Sequence, residues 1–316
     1  MRISNALFAN DFLAQSNQLQ SQQVQLQNEV STGLKVTLPQ DDPATMDQVL
    51  NLQTQAEAGA QYQSNITQLQ ATATTAASAM NSLQTITEQA GAIATEANGV
   101  NSPTQMANYA TQVADLIQEA LQAANTTDAQ GNYIFGGTIN NQPPFAATTD
   151  ANGNVTAVTY QGNTALSQSQ IGAGQTISAE VPGANTTGTG PTGLLADSRS
   201  GTDLFRDLIS LQQDLTAGNT TAIASTDSPN LTKDENNIVS GIAQNGVMQS
   251  ALESASTAAT QMGTNITTQT SNLTSADLAT TLTKLDQTQT AYQAALQSSQ
   301  MIMGLSILDY INTTPP

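Results

Sequence analysis

One stretch of this sequence is hard to fit inside a compact globule. From Pro43 to Asn98 there is no further proline, and only Gly59 and Gly91 interrupt otherwise helix-compatible residues. Within it Ile66, Leu69, Ala73, Ala76, Met80 and Leu83 step by 3, 4, 3, 4, 3 residues, the spacing of a heptad seam. Asp42 reads as the N-cap, with Pro43 at the first helical position, where its missing N–H costs nothing. A helix of this span would be about 84 Å long at about 1.5 Å per residue. A globule built from the whole chain would be about 50 Å across. The sequence therefore predicts an elongated rod.

Other segments extend the pattern. Ser4 to Thr32 contains no Gly or Pro, and Phe12, Leu19 and Leu26 recur every seven residues, with Phe8 and Val30 four positions outside them. This is a narrow apolar stripe on a Gln-rich helix, which Gly33 is placed to end in the left-handed conformation. After Gly99, Ser102-Pro103 reads as a second N-cap and first turn, opening a helix with Met106, Tyr109, Val113, Leu116 and Ala120 on one face to about Ala124. Leu204, Leu208, Leu211 and Leu215 form one face of a later helix that Gly218 ends. A long, weakly patterned helix is expected from Thr232 to about Asn272, anchored by Ile238, Ile242, Leu252 and Met262, with Gly241, Gly246 and Gly263 counting against it. The last helix is expected to be capped by Ser275, with Asp277 complementing its positive end. Its stripe Leu278, Leu282, Leu285, Gln289, Tyr292, Leu296, Ser299, Met303 steps by 4, 3, 4, 3, 4, 3, 4, a coiled-coil seam with polar breaks.

Between about Asp128 and Gly201 glycines punctuate short β-prone runs: Tyr133–Phe135, Val155–Tyr160 and Thr176–Val181, with Asn152-Gly153 a hairpin-type turn. A small β-rich domain inserted between helices is the reading, with Ala184 to Gly193 its most flexible loop. The glycines are turns and not a phosphate loop, because the segment has no Lys and no GxxxxGK[ST].

Composition removes much ordinary site chemistry. The 316 residues include no Cys, His or Trp, and 24 acidic residues against 6 basic ones. Without Cys or His there is no zinc, haem or iron–sulfur site of ordinary type, no Ser-His-Asp triad and no thiol nucleophile. No cofactor is expected. Six scattered cations cannot line a phosphate-tracking groove, so no nucleic acid partner is expected. No apolar run approaches the ~20 residues of a membrane span. The opening MRISNALFAND has no continuous apolar core and does not read as a signal peptide. The one carboxylate pair in sequence, Asp41-Asp42, could in principle share a proton or bind a cation, but before Pro43 it reads as a helix start. Asp128, Asp150, Glu180 and Asp197 are isolated along the middle segment and form no acid/base pair in sequence. No enzyme activity is expected.

Several motifs, in order, resemble the flagellin superfamily. They are Met1-Arg2-Ile3-Ser4; Ser31-Thr32-Gly33-Leu34-Lys35-Val36 followed by Asp41-Asp42-Pro43-Ala44; Ala124-Asn125-Thr126-Thr127-Asp128 with Gly131, Tyr133, Phe135 and Gly137; Tyr160-Gln161-Gly162 and Val181-Pro182-Gly183; and Gln289 to Ala295 with Leu305 to Tyr310. Pro39, the Asp-Asp-Pro triplet and the Tyr310 ending are closer to the hook–filament junction branch of that superfamily than to the flagellins. Lys35 lacks the basic neighbour often found in that branch, and the Ala184–Ser200 loop has no counterpart there.

The resemblance implies a mainly α, elongated flagellin-like rod of long helices formed by both termini, with a small β-rich domain inserted in the middle. Its expected parts are an N-terminal amphipathic helix and loop (1–42), a long helical rod (43–127), the β-rich insert (128–201), returning helices (202–272) and a C-terminal coiled-coil helix (273–316). It also implies a secreted structural adaptor of the bacterial flagellum at the hook–filament junction. Expected partners are flagellin, another hook-associated protein, copies of itself in a ring, and an export chaperone. Phe8, Phe12, Leu19, Leu26, Val30, Leu278, Leu282, Leu285, Tyr292, Leu296 and Met303 are the expected subunit-packing residues. The alternatives are a filament-forming flagellin or an adhesin-like appendage subunit.

Overall fold

The computed structural model describes the backbone of residues 2–312 and the side chains of residues 10–301. It is mainly α, with a small β-rich insert. Helices α1 (Arg2–Thr32), α2 (Pro43–Ala97) and α3 (Pro103–Ala124) are followed by strands β1 (Phe145–Thr149), β2 (Val155–Tyr160), β3 (Ser169–Gly172), β4 (Gln175–Ile177), β5 (Ala184–Asn185), β6 (Ala196–Asp197) and β7 (Thr202–Asp203). Then come α4 (Leu204–Ala217), α5 (Thr220–Ala222), a π-turn (Ile223–Asp227), α6 (Ser228–Thr274) and α7 (Leu278–Asn312). The chain forms two compact units, residues 1–57 with 263–316, and residues 58–262.

In the unit 58–262, the heptad positions Ile66, Leu69, Ala73, Ala76, Met80 and Leu83 of α2 are all buried. Against the C-terminal part of this seam pack Met106, Val113, Leu116 and Ala120 of α3 and Leu204, Leu208, Leu211 and Leu215 of α4, in one core. α3 starts where its sequence says it should. The Ser102 hydroxyl accepts from Gln105 N–H, and the Gln105 side chain accepts from Ser102 N–H, a reciprocal capping box ahead of Pro103. α4 begins on the Asp203 cap and ends at Gly218, whose φ of 69° is the left-handed geometry of a helix stop.

The insert consists of two antiparallel hairpins, β1–β2 and β3–β4, and a three-stranded sheet β5–β6–β7 in which β5 and β6 run parallel. Phe145 links it to the helices, its ring centroid 5.1 Å from Tyr160 and 5.3 Å from Phe205. The Tyr160 hydroxyl lies 2.9 Å from Phe135 C=O, and burial pushes its pKa up to about 12. The Asn152-Gly153 turn joins β1 to β2 as expected. Two other expectations fail. Tyr133–Phe135 is not a strand, since only Tyr133 makes an isolated bridge to Thr127 while Ile134 and Phe135 are drawn into the core. The run Thr176–Val181 leaves its hairpin after Ile177, and Ala179 turns inward to pack with Ile66, Leu69 and Leu252. Core burial outweighed strand propensity in both places.

The expected flexible loop, Ala184–Gly193, is instead held by a network of side-chain hydrogen bonds. The buried Asn185 amide donates to Thr189 C=O and Pro191 C=O at 2.7 Å each, while its oxygen accepts from the N–H groups of Thr187 and Gly188. Asp197 accepts from Gly193 N–H at 3.0 Å and from the Arg199 guanidinium at 2.7 Å. Asn237 of α6 donates to the carbonyls of Gly193 and Leu194. Gly241, which counted against a helix here, has a packing role, because a Cβ on it would lie 2.6 Å from Leu194 Cδ1. Composition suggested mobility, but one buried Asn and one buried Asp supply the missing order.

The long returning helix also starts earlier than Thr232. Pro229 has no N–H to give Ser225 C=O, and its ring crowds that carbonyl. The chain accommodates it with the π-turn, in which Ser228 N–H reaches back five residues to Ile223 C=O. Ile238 and Leu252 are buried on α6 as expected, and Leu231 and Ile266 join them.

Candidate subunit-packing surface

The unit 1–57 with 263–316 contains both terminal helices, α1 and α7, packed on each other. A short backbone clamp fixes where they meet. Gly33, with φ of 72°, ends α1 by donating its N–H to Glu29 C=O. Its own carbonyl then accepts from Ala276 N–H at 2.8 Å, and Lys35 N–H donates to Thr274 C=O at 2.7 Å, around an antiparallel bridge between Leu34 and Ser275. The end of α1 therefore faces the start of α7, and the two helices pair antiparallel. Val36, Val49 and Ile266 are buried in the same unit.

Asp41 and Asp42 are both committed to local backbone. Asp42 caps α2, accepting from Ala44 N–H, Thr45 N–H and the Thr45 hydroxyl at 3.1, 3.1 and 2.6 Å. Asp277 repeats this at α7, accepting from Ala279 N–H, Thr280 N–H and the Thr280 hydroxyl. Ser275, the expected cap, is occupied in the bridge to Leu34. Asp-X-Ala-Thr thus starts both helices with one geometry. The threonine hydroxyl is the main cause holding each capping carboxylate below its ordinary pKa. Asp41 is lowered in turn by the N–H groups of Leu38 and Thr37. Two neighbouring carboxylates that are each stabilised as anions do not form a proton-sharing pair.

The structure sorts the expected packing residues into two groups. Leu26 is buried, and Phe12, Leu19, Val30, Leu285 and Tyr292 are half-buried. Leu278, Leu282 and Leu296 are exposed, at 46%, 52% and 39% of their full accessibility, and so lie outside the intramolecular seam. Phe8 and Met303 lie outside the residues whose side chains are described. The buried line on α7 runs instead through Thr281, Leu285, Thr288, Tyr292, Ala295 and Ser299, with Thr281, Thr288 and Ser299 at 5%, 7% and 6% exposure. Its steps of 4, 3, 4, 3, 4 are as regular as those of the leucine stripe, and the two lines share Leu285, Tyr292 and Ser299. The sequence stripe followed Leu278, Leu282 and Leu296 and so left out Thr281, Thr288 and Ala295. The matching line on α1 is mixed as well, with half-buried Ser16 and Gln23 between Phe12, Leu19, Leu26 and Val30. Thr288 settles its hydroxyl on Lys284 C=O at 2.8 Å, which makes it tolerable inside a seam.

α7 therefore carries two edges. One, rich in hydroxyls, is used against α1, and the other presents Leu278, Leu282 and Leu296 outward. Among the described residues no group of three His, Cys, Asp or Glu could hold a metal ion, and no helix is long and apolar enough to cross a membrane.

The family model for the bacterial flagellin N-terminal helical region matches residues 3–140. Flagellar hook-associated protein 3 of Escherichia coli is 26% identical over 320 aligned positions, covering 97% of this chain and 98% of the relative. The fold is shared with solved structures. A provisionally named flagellar hook-associated protein of Vibrio parahaemolyticus aligns with a TM-score of 0.64 at 17% identity over 74% of this chain and all of its own. FlgL of Bacillus cereus aligns with a TM-score of 0.56 at 16% identity over 70% of this chain and 99% of its own. FlgL of Xanthomonas campestris gives 0.53 at 17% identity, over 67% and 98%. Over 97% of its length the chain is similar to flagellar hook-associated protein 3, and residues 3–140 match the flagellin N-terminal helical region.

Proposed function

We propose that this chain is a structural adaptor of the bacterial flagellum, seated at the hook–filament junction between another hook-associated protein and the first flagellin subunits. The observation that carries the reading is the similarity to flagellar hook-associated protein 3, which spans 97% of this chain and 98% of that relative. The two-edged α7 supports it, because one edge closes on α1 and leaves an apolar edge for neighbouring subunits. Copies of the chain form a ring, held by the exposed Leu278, Leu282 and Leu296. The protein is exported to the flagellum with the help of an export chaperone. A chain without cysteine forms no disulfide that would obstruct threading through a channel.

The role is non-catalytic. Asp41 and Asp42 serve as turn and cap acceptors, and Asp197 is neutralised by Arg199. The test is a deletion strain examined for filaments and for flagellin in the medium. Bare hooks with flagellin shed as soluble monomer are expected. Normal filaments would overturn the junction role and favour the second reading, a filament-forming flagellin, which the match of residues 3–140 to the flagellin helical region also suits.

A further inference from the structure

The contact between α4 and the π-turn segment buries more carboxylates than it can satisfy as anions. Asp207, Asp227 and Asp234 are 3%, 1% and 2% exposed, and Asp203 is half-buried beside them. Asp207 is the compensated one. The Arg206 guanidinium grips both of its oxygens at 3.1 and 3.3 Å, and the Asn230 amide reaches one at 3.4 Å. Asp234, one turn beyond Asn230, accepts the Asp203 N–H on Oδ1 at 3.0 Å, but its Oδ2 is buried without a hydrogen-bond partner. Asp227 accepts the Ser210 hydroxyl at 2.8 Å on one oxygen and likewise leaves Oδ2 buried and unpartnered.

The charged groups around Asp234 are Asp203, on β7, and Arg206 and Asp207, on α4. Those around Asp227 are Asp207 and Asp214, on α4. On the same helical segment Lys233 bonds the Asn230 side chain and is exposed, and Glu235 is half-buried. Two buried oxygens with no donor, facing another carboxylate, are what an anion avoids and a carboxylic acid satisfies.

We infer that this contact is a proton-held latch: neutral Asp234 donates its proton from Oδ2 to the Arg206-bound carboxylate of Asp207, and loss of that proton to solvent frees α4 from the start of α6. Burial, and after it the charge of Asp207, pushes Asp234 up to about 8, and burial pushes Asp227 up to about 6. A carboxyl whose pKa is higher in the folded state stabilises the fold fully below the ordinary value of 3.8, and that contribution is lost as pH rises through about 8. The π-turn belongs to the device, because it lies between the helix that follows α4 and the segment that carries Asn230 and Asp234.

The sequence makes the test clean. With no His and no Cys, only an α-amino group would ordinarily titrate between about pH 6 and 9. The full chain is melted, and hydrogen exchange of α4 is followed, across that range for the wild type, Asp234→Asn and the exposed control Asp150→Asn. The expected result is a wild-type opening equilibrium for α4 that grows up to about tenfold per pH unit toward pH 8. The control should keep this slope. Asp234→Asn should lose it, since its amide keeps both the acceptor for Asp203 N–H and a donor toward Asp207. A slope retained in Asp234→Asn, absent from the wild type, or abolished only by Asp227→Asn overturns the latch. Should Asp234→Asn not fold, infrared spectroscopy of the wild type decides. A protonated-carboxyl band at neutral pH that vanishes above about pH 9 supports the latch, and its absence at neutral pH overturns it.

Discussion

The two units obey the same helical period and use it oppositely. In the unit 58–262, α2, α3 and α4 pool broad faces, so that Ile117, Leu208, Leu211 and Leu215 are at 0% exposure and Phe145 bridges strands to helix. In the unit 1–57 with 263–316, two helices share one narrow line in which Thr281, Thr288 and Ser299 hold positions a self-sufficient core would give to leucine, while Leu278, Leu282 and Leu296 face outward. A hydrophobic residue buried in the isolated chain contributes to folding, and one left outside contributes only when another surface covers it. The unit 58–262 covers its apolar faces within itself, whereas the unit 1–57 with 263–316 leaves Leu278, Leu282 and Leu296 uncovered.

The sharpest way to break that contrast is to empty the core. Leu211→Ala should cost about 2–5 kcal/mol, because the fully buried site leaves a cavity that three helices can only partly close. Chemical denaturation followed by circular dichroism measures it, and a loss below about 1 kcal/mol would deny the unit its independent core. Next in size is Gly193→Ala. A Cβ there would run into Ala196 C=O and Asn185 N–H, within the network that holds the 184–201 loop. Overpacking of this kind costs about 1–3 kcal/mol, and limited proteolysis should then find new cleavage in the loop.

How much of this was legible in the sequence divides along the same line. Leu204, Leu208, Leu211 and Leu215, and the α2 seam from Ile66 to Leu83, could be read directly because apolar residues at helical spacing are buried wherever enough other faces exist to cover them. The helix ends at Gly33, Pro43, Ser102 and Gly218 were legible because backbone sterics and capping act locally. The order in the Ala184–Gly193 loop was not, since it depends on where Asn185, Asp197 and Asn237 meet in space. The choice between the two lines on α7 was not either. Both have heptad steps, and only the partner helix, with Ser16 and Gln23 interleaved among its apolar residues, decides which one turns inward.

Acid should separate the units further, by a smaller effect. Asp41, Asp42 and Asp277 have their pKa values lowered by the N–H and hydroxyl groups they accept from. A carboxylate of this kind stabilises the fold above the ordinary value of 3.8, and the contribution is lost as pH falls through the lowered folded value. Asp203, Asp227 and Asp234 of the other unit are raised by burial, so their contribution is retained in acid. The salt-bridged Asp197, held at about 2 by the Arg199 side chain, and the exposed Asp150, lowered by the Asn154 N–H, oppose them there. Below about pH 4, hydrogen exchange corrected for intrinsic rates should therefore open the first turns of α2 and α7 before α4. The exposed caps should respond less in high salt. Simultaneous opening of both regions would show that the units do not differ in acid.

The smallest expected change in stability carries the most information about assembly. Leu282 is 52% exposed and Leu296 39% exposed, so replacing either with Ser should alter the stability of the free chain by less than about 0.5 kcal/mol. Thr288→Leu acts on the other edge, where a larger side chain must enter the line facing α1 and should shift stability measurably. If Leu282 and Leu296 form the contact with neighbouring subunits, their Ser variants should be exported and folded yet poorly retained at the hook tip, with flagellin released to the medium. If filaments assemble normally on both variants, the outward edge is not the packing surface. Attention would then move to Leu13 and Val24 of α1, which are exposed at 56% and 52%. A unit whose exposed leucines matter to neither folding nor assembly would not be waiting for a partner at all.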